Sequence, residues 1–375
     1  MISSRFIVIL VVVISGNPAT SWIGNPVVDI AAFALLFACW AKTRAPIRRT
    51  WLVPMFIALS IAHVAIFGTG VAMASIGFLV KFGIAIFAVS LVPDFFGEYI
   101  TVMTGIAVIS LLFHVPTQLG VDLPSLLSWF KIPTGNPSIV DIGLHDFHPW
   151  ELDRNCGMFW EPTAFAGYLS LAILLSVLLK PDDPRQRRLR LWLLLALLTT
   201  RSSTGYLTLA ALGGLALYRA GWLNSFVGRL GLAAGVFGAY LAFTNISFLG
   251  EKIASQLDAT TIGGDELGRI GNLLYDLDSI SERPILGWSQ NPETRFAGDD
   301  DLQVLIQGQG NGLTGFATRS GVIALAVVLG SIAAAMKRAS GSIVAAGVGL
   351  IVVCALLMGE QFLNYPIFLM LPLLA

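Results

Sequence analysis

Apolar runs long enough to cross a lipid bilayer recur along almost the whole chain, and they leave few folds open. A bilayer core about 30 Å thick takes about 20 mostly apolar residues as a helix. Water is absent there, so such a run must satisfy its own backbone hydrogen bonds. Composition agrees. Of 375 residues, 55% are hydrophobic and 12% charged, half the charged share of a soluble domain, which is about 25%. Mean hydropathy is +0.77. The chain therefore reads as an all-α polytopic membrane protein, and a soluble multidomain reading is dropped. Its net charge of zero gives no bulk attraction to nucleic acid. Cys39, Cys156 and Cys354 lie far apart without metal-ligand spacing, and no structural disulfide is expected.

Twelve spans are expected, near 2–22, 26–41, 51–68, 71–92, 97–115, 157–179, 190–201, 204–218, 226–247, 313–336, 342–359 and 362–375. The N-terminal run has the shape of a signal peptide, but an uncleaved first span is favoured. With that end in the cytoplasm and the loops alternating, Arg5, Lys42, Arg44, Arg48, Arg49, Lys180, Arg185, Arg187, Arg188, Arg190, Arg219, Arg229, Lys337 and Arg338 fall on one side. These are 14 of the 23 Lys and Arg, as the positive-inside rule asks. The Pro93–Glu98 connector has no basic residue and does not bear on orientation.

Two long segments remain on the other side, 116–156 and 248–312. Both are too long for simple connectors, and such loops carry function or cover a site. The second contains DELGRIGNLLYDLDSISERP, in which Leu267, Ile270, Leu273, Leu274, Leu277 and Ile280 recur at helical spacing. It predicts a helix lying on the membrane surface and ending at Pro284.

Nine cations are not explained as cytoplasmic anchors: Lys81, Lys131, Arg154, Arg201, Lys252, Arg269, Arg283, Arg295 and Arg319. Charge in or at the mouth of a span is costly and points to function. In RNCGMFWEPTAFAGYL, Arg154 and Glu161 open a span, with Pro162 at an early helical position where its missing N–H does little harm. They read either as a pair facing an outer cavity or as a helix cap. One helix from Leu189 to Tyr218 would run about 45 Å, so TTRSSTG predicts two shorter helices meeting at Arg201–Gly205. That junction reads as an anion site below the surface or as a plain turn. Arg269 and Arg319 sit near the outer mouth as well, where snorkelling is the simpler account. Together, Arg154, Arg201, Arg269 and Arg319 suggest an anionic, lipid-borne ligand such as a pyrophosphate, because the guanidinium fork donates bidentately to phosphate oxygens. Lys81 either pairs with an acid or lines the same cavity.

Weaker signals are read plainly. His145 and His148, with Asp146, have metal-binding spacing, but a solvated loop is the expectation. Asp299–Asp301 reads as a solvated turn rather than a calcium site. Walker and GxSxG motifs are absent from the sequence, and no dinucleotide-binding unit is expected.

In order and topology, these segments resemble the bacterial O-antigen polymerase and O-antigen ligase superfamily. RNCGMFWEPTAFAGYL is similar to its R-x-x-G-x-F-x-E-P run, LTTRSSTGYL to its interrupted span, and GRIGNLLYDLDSISERPILGWS to an arginine followed by P-x-x-G. QGNGLTGFATRSGVIAL and GEQFLNYPIFLMLPLL continue the likeness, which covers about residues 150–375. The resemblance implies a GT-C-like membrane glycosyltransferase of the inner membrane, with its active site facing the periplasm. Its donor would be a glycan on undecaprenyl pyrophosphate, attacked at the anomeric carbon by an acceptor hydroxyl, with no metal or nucleotide cofactor. A chain-length regulator in the membrane is an implied partner. Carried over, Arg201 and Arg269 are the foremost pyrophosphate ligands with Arg319 beside them, and Arg154 and Glu161 are the catalytic pair, Glu161 as general base. Ligases of the family carry a histidine after the large loop, where this chain has Gly310 and Asn311; that favours polymerase over ligase. A secondary transporter is the reading from another class, opposed by the long outer loops and the lack of repeats. A non-catalytic assembly partner is a further one.

Overall fold

The computed structural model describes residues 3–20, 24–47, 51–133, 138–180, 183–219, 269–296 and 311–374, with fragments between 221 and 231. The described chain is helical apart from one two-stranded hairpin. Its main helices are α1 (Ser4–Gly16), α2 (Asn25–Thr43), α3 (Leu52–Phe67), α4 (Ala72–Leu91), α5 (Phe95–Gln118), α6 (Pro162–Leu179), α7 (Pro184–Thr199), α8 (Ser203–Arg219), α9 (Arg269–Glu282), α10 (Gly312–Ser340) and α11 (Ile343–Gly359). Five helical segments among the described residues are long and apolar enough to cross a membrane: α2, α4 with the turn before it, α5, α6 and α10. Side chains such as Ile30, Met73, Ile76, Leu112, Leu207 and Ile351 are exposed on the outside of the bundle, a surface suited to lipid rather than water.

Local chemistry sets the helix ends. Ser3, Asp94, Asp183, Asn311 and Ser342 accept backbone N–H bonds from the first turns of α1, α5, α7, α10 and α11. Pro162 and Pro184 occupy first-turn positions, and Gly341 closes α10 in the left-handed region. Helix α6 is the axis of the bundle, buried at every residue from Pro162 to Leu178. Tyr99 donates to the Tyr168 carbonyl at 2.9 Å, and Ser170 pairs with Thr208 at 2.8 Å.

Of the twelve expected spans, five coincide with these long apolar helices and three more with the shorter apolar helices α1, α3 and α11; two others need comment. The one near 226–247 lies almost wholly outside the described residues. The last, 362–375, is not one helix. It breaks into turns at Phe362–Asn364, Pro366–Leu369 and Leu371–Leu373. Pro366 and Pro372 deny it a continuous ladder. The segment enters the core instead, where Phe362 and Phe368 stack on each other at 4.3 Å and pack edge-on against Tyr168.

The basic connectors meet at one end of the bundle. Arg5 bonds Glu98 at 3.0 Å and Lys180 bonds Asp94 at 2.7 Å. Arg219 donates to the Val177 carbonyl there. The Pro93–Glu98 connector thus supplies the acids that its basic neighbours use. The long 119–161 connection and the 283–296 segment lie at the opposite end, where Asn17 bonds the Gly143 carbonyl and Gln118 bonds the Leu152 carbonyl.

Helix α10 is broken. Gly321 has φ +83° and ψ 157°, so the helical ladder stops and restarts there. The loose groups are taken by a strap, residues 284–289. Trp288 N–H donates to the Thr318 carbonyl at 2.8 Å, Ser289 N–H to the Arg319 carbonyl at 3.1 Å, and Val322 N–H to the Pro284 carbonyl at 2.8 Å. The strap is held from outside. Arg283 lies over the rings of Phe67 and Trp288, at 4.8 and 4.6 Å, and His63 bonds the Leu286 carbonyl at 2.7 Å. Broken backbone at membrane depth persists only where protein covers it. A Cβ on Gly321 would sit 1.9 Å from the Ile285 carbonyl oxygen, in a backbone region close to exclusive to glycine. Gly321→Ala should therefore cost about 3 kcal/mol or more, read as a lower melting temperature of the purified protein in detergent. A variant as stable as the parent would show that the strap does not depend on this break.

Candidate functional site

At the end that holds the strap, three neighbouring cavities share lining residues and are described together as the lobes of one cleft. The first, of about 270 Å³, reaches from Trp160 and Tyr365 to Asp29 and Lys81. The second, of about 480 Å³, shares Asn25, Asp29 and Lys81 with the first and continues to Gln290 and Arg319. The third, of about 300 Å³, shares Gln290 and Arg319 with the second and ends among Asn272, Asp276, Arg295 and Gln361. The middle lobe is also walled by Ile30, Met73 and Ile76, which are exposed on the outer face of the bundle. The cleft therefore joins an apolar outer surface to a cationic interior.

Arg319 stands where two lobes meet. Its Nη1 donates to Gln361 Oε1 at 2.9 Å, and its Nε is buried with no hydrogen-bond partner among the described residues. A buried donor without an acceptor costs about 1–3 kcal/mol, more when charged. Arg295 shares the third lobe. Its Nη2 lies 2.7 Å from Asp276 Oδ1, its Nε donates to Ser279 Oγ at 3.0 Å, and its plane lies over Tyr275 at 4.5 Å. Thr314 donates its hydroxyl to the other Asp276 oxygen. Gln290 reaches Ser320 at 3.0 Å across the broken helix.

Helix α9 supplies one wall of this lobe in an unexpected way. Its inward face is polar, with Asn272, Asp276 and Ser279 buried at spacings of four and three, while Leu274 and Leu277 are exposed. The helix exists where the periodicity puts it, with its apolar edge outward and its polar edge on the cleft.

Lys81 settles both options raised by its sequence position. It pairs with Asp29 at 3.8 Å and lines two lobes. Asn25 and Asp29 lie four residues apart on α2, hence on one face, and both line the same two lobes.

The other expected residues are distributed as follows. Glu161 holds the extended position before α6 and makes no capping bond, and its Oε1 is buried without a partner. It lies within electrostatic reach of Tyr365, as do Glu360 and Arg319. The carboxylate partner of Arg154 is Glu151, not Glu161, and Arg154 Nε bonds the Thr200 carbonyl at 3.3 Å. Arg201 lies in a plain exposed turn with φ +47°, paired with Asp153. Helices α7 and α8 do meet there, but Ser202 caps Gly205 N–H at 3.3 Å, so that N–H is already spoken for. Arg154 and Arg201 thus share the corner formed by residues 151–154 and 199–201, while Arg319 stands in the cleft. Arg269 opens α9, and its side chain lies outside the described residues, as does the Asp299–Asp301 run. Asn311 accepts from the Leu313 and Thr314 N–H groups through Oδ1 and so caps α10. Arg295, Asp276, Gln290 and Gln361 were not singled out as site residues. Arg295 was visible as a cation outside the basic connectors, but nothing in the pattern paired it with Asp276.

The HDFH run is a buried hairpin, not a solvated loop. Strands β1 (Val140–Asp141) and β2 (Asp146–Phe147) pair antiparallel, with Val140 opposite Phe147. His145, Asp146 and His148 are all buried, and His148 Nε2 lies 3.0 Å from Asp146 Oδ2. Among the described residues no group of three or more His, Cys, Asp or Glu is arranged to hold a metal ion. The three cysteines are free thiols. Burial drives His145 down to about 3 and keeps it neutral. Burial, with Asp146 nearby, pushes Asp141 up to about 6 against the pull of the Gly143 N–H. A carboxyl whose folded pKa is raised holds its proton more tightly when folded, so its contribution to stability declines as pH rises from about 4 to about 6. Asp141→Asn keeps an oxygen for the 2.6 Å bond from Gly143 N–H and removes the titration. Relative to the parent it should gain on the order of 1–3 kcal/mol between pH 4 and pH 7. Hydrogen exchange over 140–148, compared between the two proteins at both pH values, reads this directly. A difference that does not change with pH would remove Asp141 as its source.

No protein-family model matches this chain, and neither a curated protein nor a solved structure matches it significantly. Its functional reading rests on the geometry of the cleft and on the family resemblance of its motifs.

Proposed function

We propose that this chain is a glycosyltransferase that takes a glycan from undecaprenyl pyrophosphate and adds it to an acceptor repeat unit, a polymerase of O-antigen or another surface polysaccharide. On this reading it has a GT-C-like architecture, spans the bacterial inner membrane and works at the periplasmic face. The observation that carries the proposal is the middle lobe of the cleft. Its outer wall is apolar and faces where lipid would be, and Lys81 and Arg319 stand within it, Arg319 with an unpartnered buried Nε. A ligand that fits has a long apolar tail and an anionic head, which is the chemistry of a polyprenyl pyrophosphate.

The reaction asks for two things. An acceptor hydroxyl attacks the anomeric carbon as the bond to the pyrophosphate oxygen breaks, and the leaving group gains negative charge. Donors already fixed where that charge develops lower the barrier most. Arg319 and Arg295 are so fixed, by Gln361 on one side and by Asp276 and Ser279 on the other. The hydroxyl proton goes to a carboxylate, for which Glu161, buried and unpaired at Oε1, is a candidate. Within this reading Arg319 is the principal pyrophosphate ligand, Arg269 is a further ligand carried by the first residue of α9, and Arg201 and Arg154 shape the rim.

The test is reconstitution of the purified chain with undecaprenyl-pyrophosphate-linked repeat units, scored as a ladder of products. Arg319→Gln should lower the rate by about 100-fold or more. Arg201→Ala, whose guanidinium is exposed and paired with Asp153, should lower it by less than about tenfold. No ladder from the intact protein with cognate substrate would sink the polymerase reading. A ladder undiminished in Arg319→Gln would keep the function and discard this anion site.

A further inference from the structure

A transferase needs two ligands side by side, and the cleft has a lobe the donor does not require. The first lobe, of about 270 Å³, lies beyond Asp29 and Lys81 from the apolar wall. Its size is near the lower end for small-molecule sites, about 300 Å³, suited to one ring rather than a chain. One side of it is aromatic. Trp160 and Tyr365 lie with ring centroids 5.0 Å apart and planes at 33°. Polar groups also line it, Asn25 and Asp29 on one face of α2 together with Thr20. Asp29 is buried, and Lys81 at 3.8 Å leaves room for a closer donor.

We propose that this lobe is a saccharide subsite that holds the acceptor sugar, an inference that rests on reading the cleft as a transferase site. A pyranose ring has a face of C–H groups and a rim of hydroxyls. The C–H face packs on an aromatic surface, and the hydroxyls donate to carboxylate and amide oxygens. The lobe is lined by both kinds of surface. Asp29 accepts from a sugar hydroxyl and, because it lines the middle lobe too, turns that hydroxyl toward the space beside Arg319. Trp160 immediately precedes Glu161, so the turn that enters α6 supplies a ring to this lobe and a carboxylate next to it.

The probes are a panel of methyl pyranosides, neutral and N-acetylated, and, separately, undecaprenyl pyrophosphate without sugar. The protein is the full chain in nanodiscs free of sugar detergents. Saturation-transfer NMR should show at least one pyranoside binding, with transfer strongest on the C–H protons of one ring face. Trp160→Ala and Asp29→Asn should each weaken it at least tenfold, and Trp160→Phe should retain it. If Trp160→Ala fails to fold, Asn25→Ala probes the polar lining without touching the aromatic pair. Failure of every pyranoside to bind, or binding that survives both Trp160→Ala and Asp29→Asn, overturns the subsite. Undecaprenyl pyrophosphate binding, followed by native mass spectrometry, should be lost in Arg319→Gln and kept in Trp160→Ala. Pyranoside binding without undecaprenyl pyrophosphate binding supports the subsite and sinks the donor reading; the reverse sinks the subsite and spares the donor.

Discussion

Between Thr318 and Val322 the backbone of α10 cannot satisfy itself, and the arrangement of the cleft depends on how that deficit is met. The strap at 284–289 gives two N–H groups to the orphaned carbonyls of Thr318 and Arg319 and takes one from Val322. Gly287 makes the approach possible, because a Cβ there would lie 2.6 Å from the Thr318 oxygen. Once the strap is seated, Trp288 to Gln290 must lie beside Arg319, and the chain beyond must return over α9. The short helical turn Glu293–Phe296 then delivers Arg295 to Asp276. A helix without the break would bond Thr318 and Arg319 internally and leave the strap nothing to hold. Arginine 319 would then stand on a smooth span at the membrane interface.

Charge inside such a bundle survives only under tight terms. An isolated ion in low dielectric is costly, and a buried pair does little better than break even unless its remaining bonds are met. The cleft follows this rule for Arg295, which has a carboxylate, a hydroxyl and two aromatic faces. It departs from the rule at three atoms. Arg319 has an amide oxygen for one nitrogen and nothing for Nε, Glu161 leaves Oε1 bare, and Asp29 meets Lys81 only at 3.8 Å. Arg295 Nη2 and Arg154 Nη2 are also buried without a hydrogen bond among the described residues, so incomplete satisfaction is not confined to these three. The three gather around the same end of the bundle.

Hydropathy alone placed most of the bundle, because a run that cannot wet its backbone has little choice but a helix. It failed at residues 362–374, where the composition is that of a span but Pro366 and Pro372 forbid the ladder, and burial in the core replaces burial in lipid. The break before α8 was legible from length, since one helix from Leu189 to Tyr218 is too long for the bilayer. What the junction does was not, because Arg201 could be paired from sequence with no particular acid, and Asp153 lies 48 residues away. The same blindness to distant partners hid Arg295 with Asp276, Arg319 with Gln361 and Lys81 with Asp29. The HDFH run was misread for a different reason. Polar residues in a loop suggest water, but β1 and the packing of Phe113 and Phe147 on His145 enclose it.

The arginines of the outer end thus divide by what already holds them. Arg154 and Arg201 are spent on Glu151 and Asp153, two acids of a single turn, and on the Thr200 carbonyl. Their bonds tie the 151–154 turn to the α7–α8 corner and so fix where the chain enters α6. That entry sets Trp160 against Tyr365 and leaves Glu161 extended and uncapped beside the cleft. The R-x-x-G-x-F-x-E-P run can accordingly be understood as one device. Its arginine anchors the approach, Gly157 at φ +55° turns it, Phe159 stacks on Phe165 and Tyr168 in the core, and Pro162 starts the helix. Trp160 is the residue of this run that lines the cleft, and Glu161 follows it with Oε1 buried and unpartnered among the described residues.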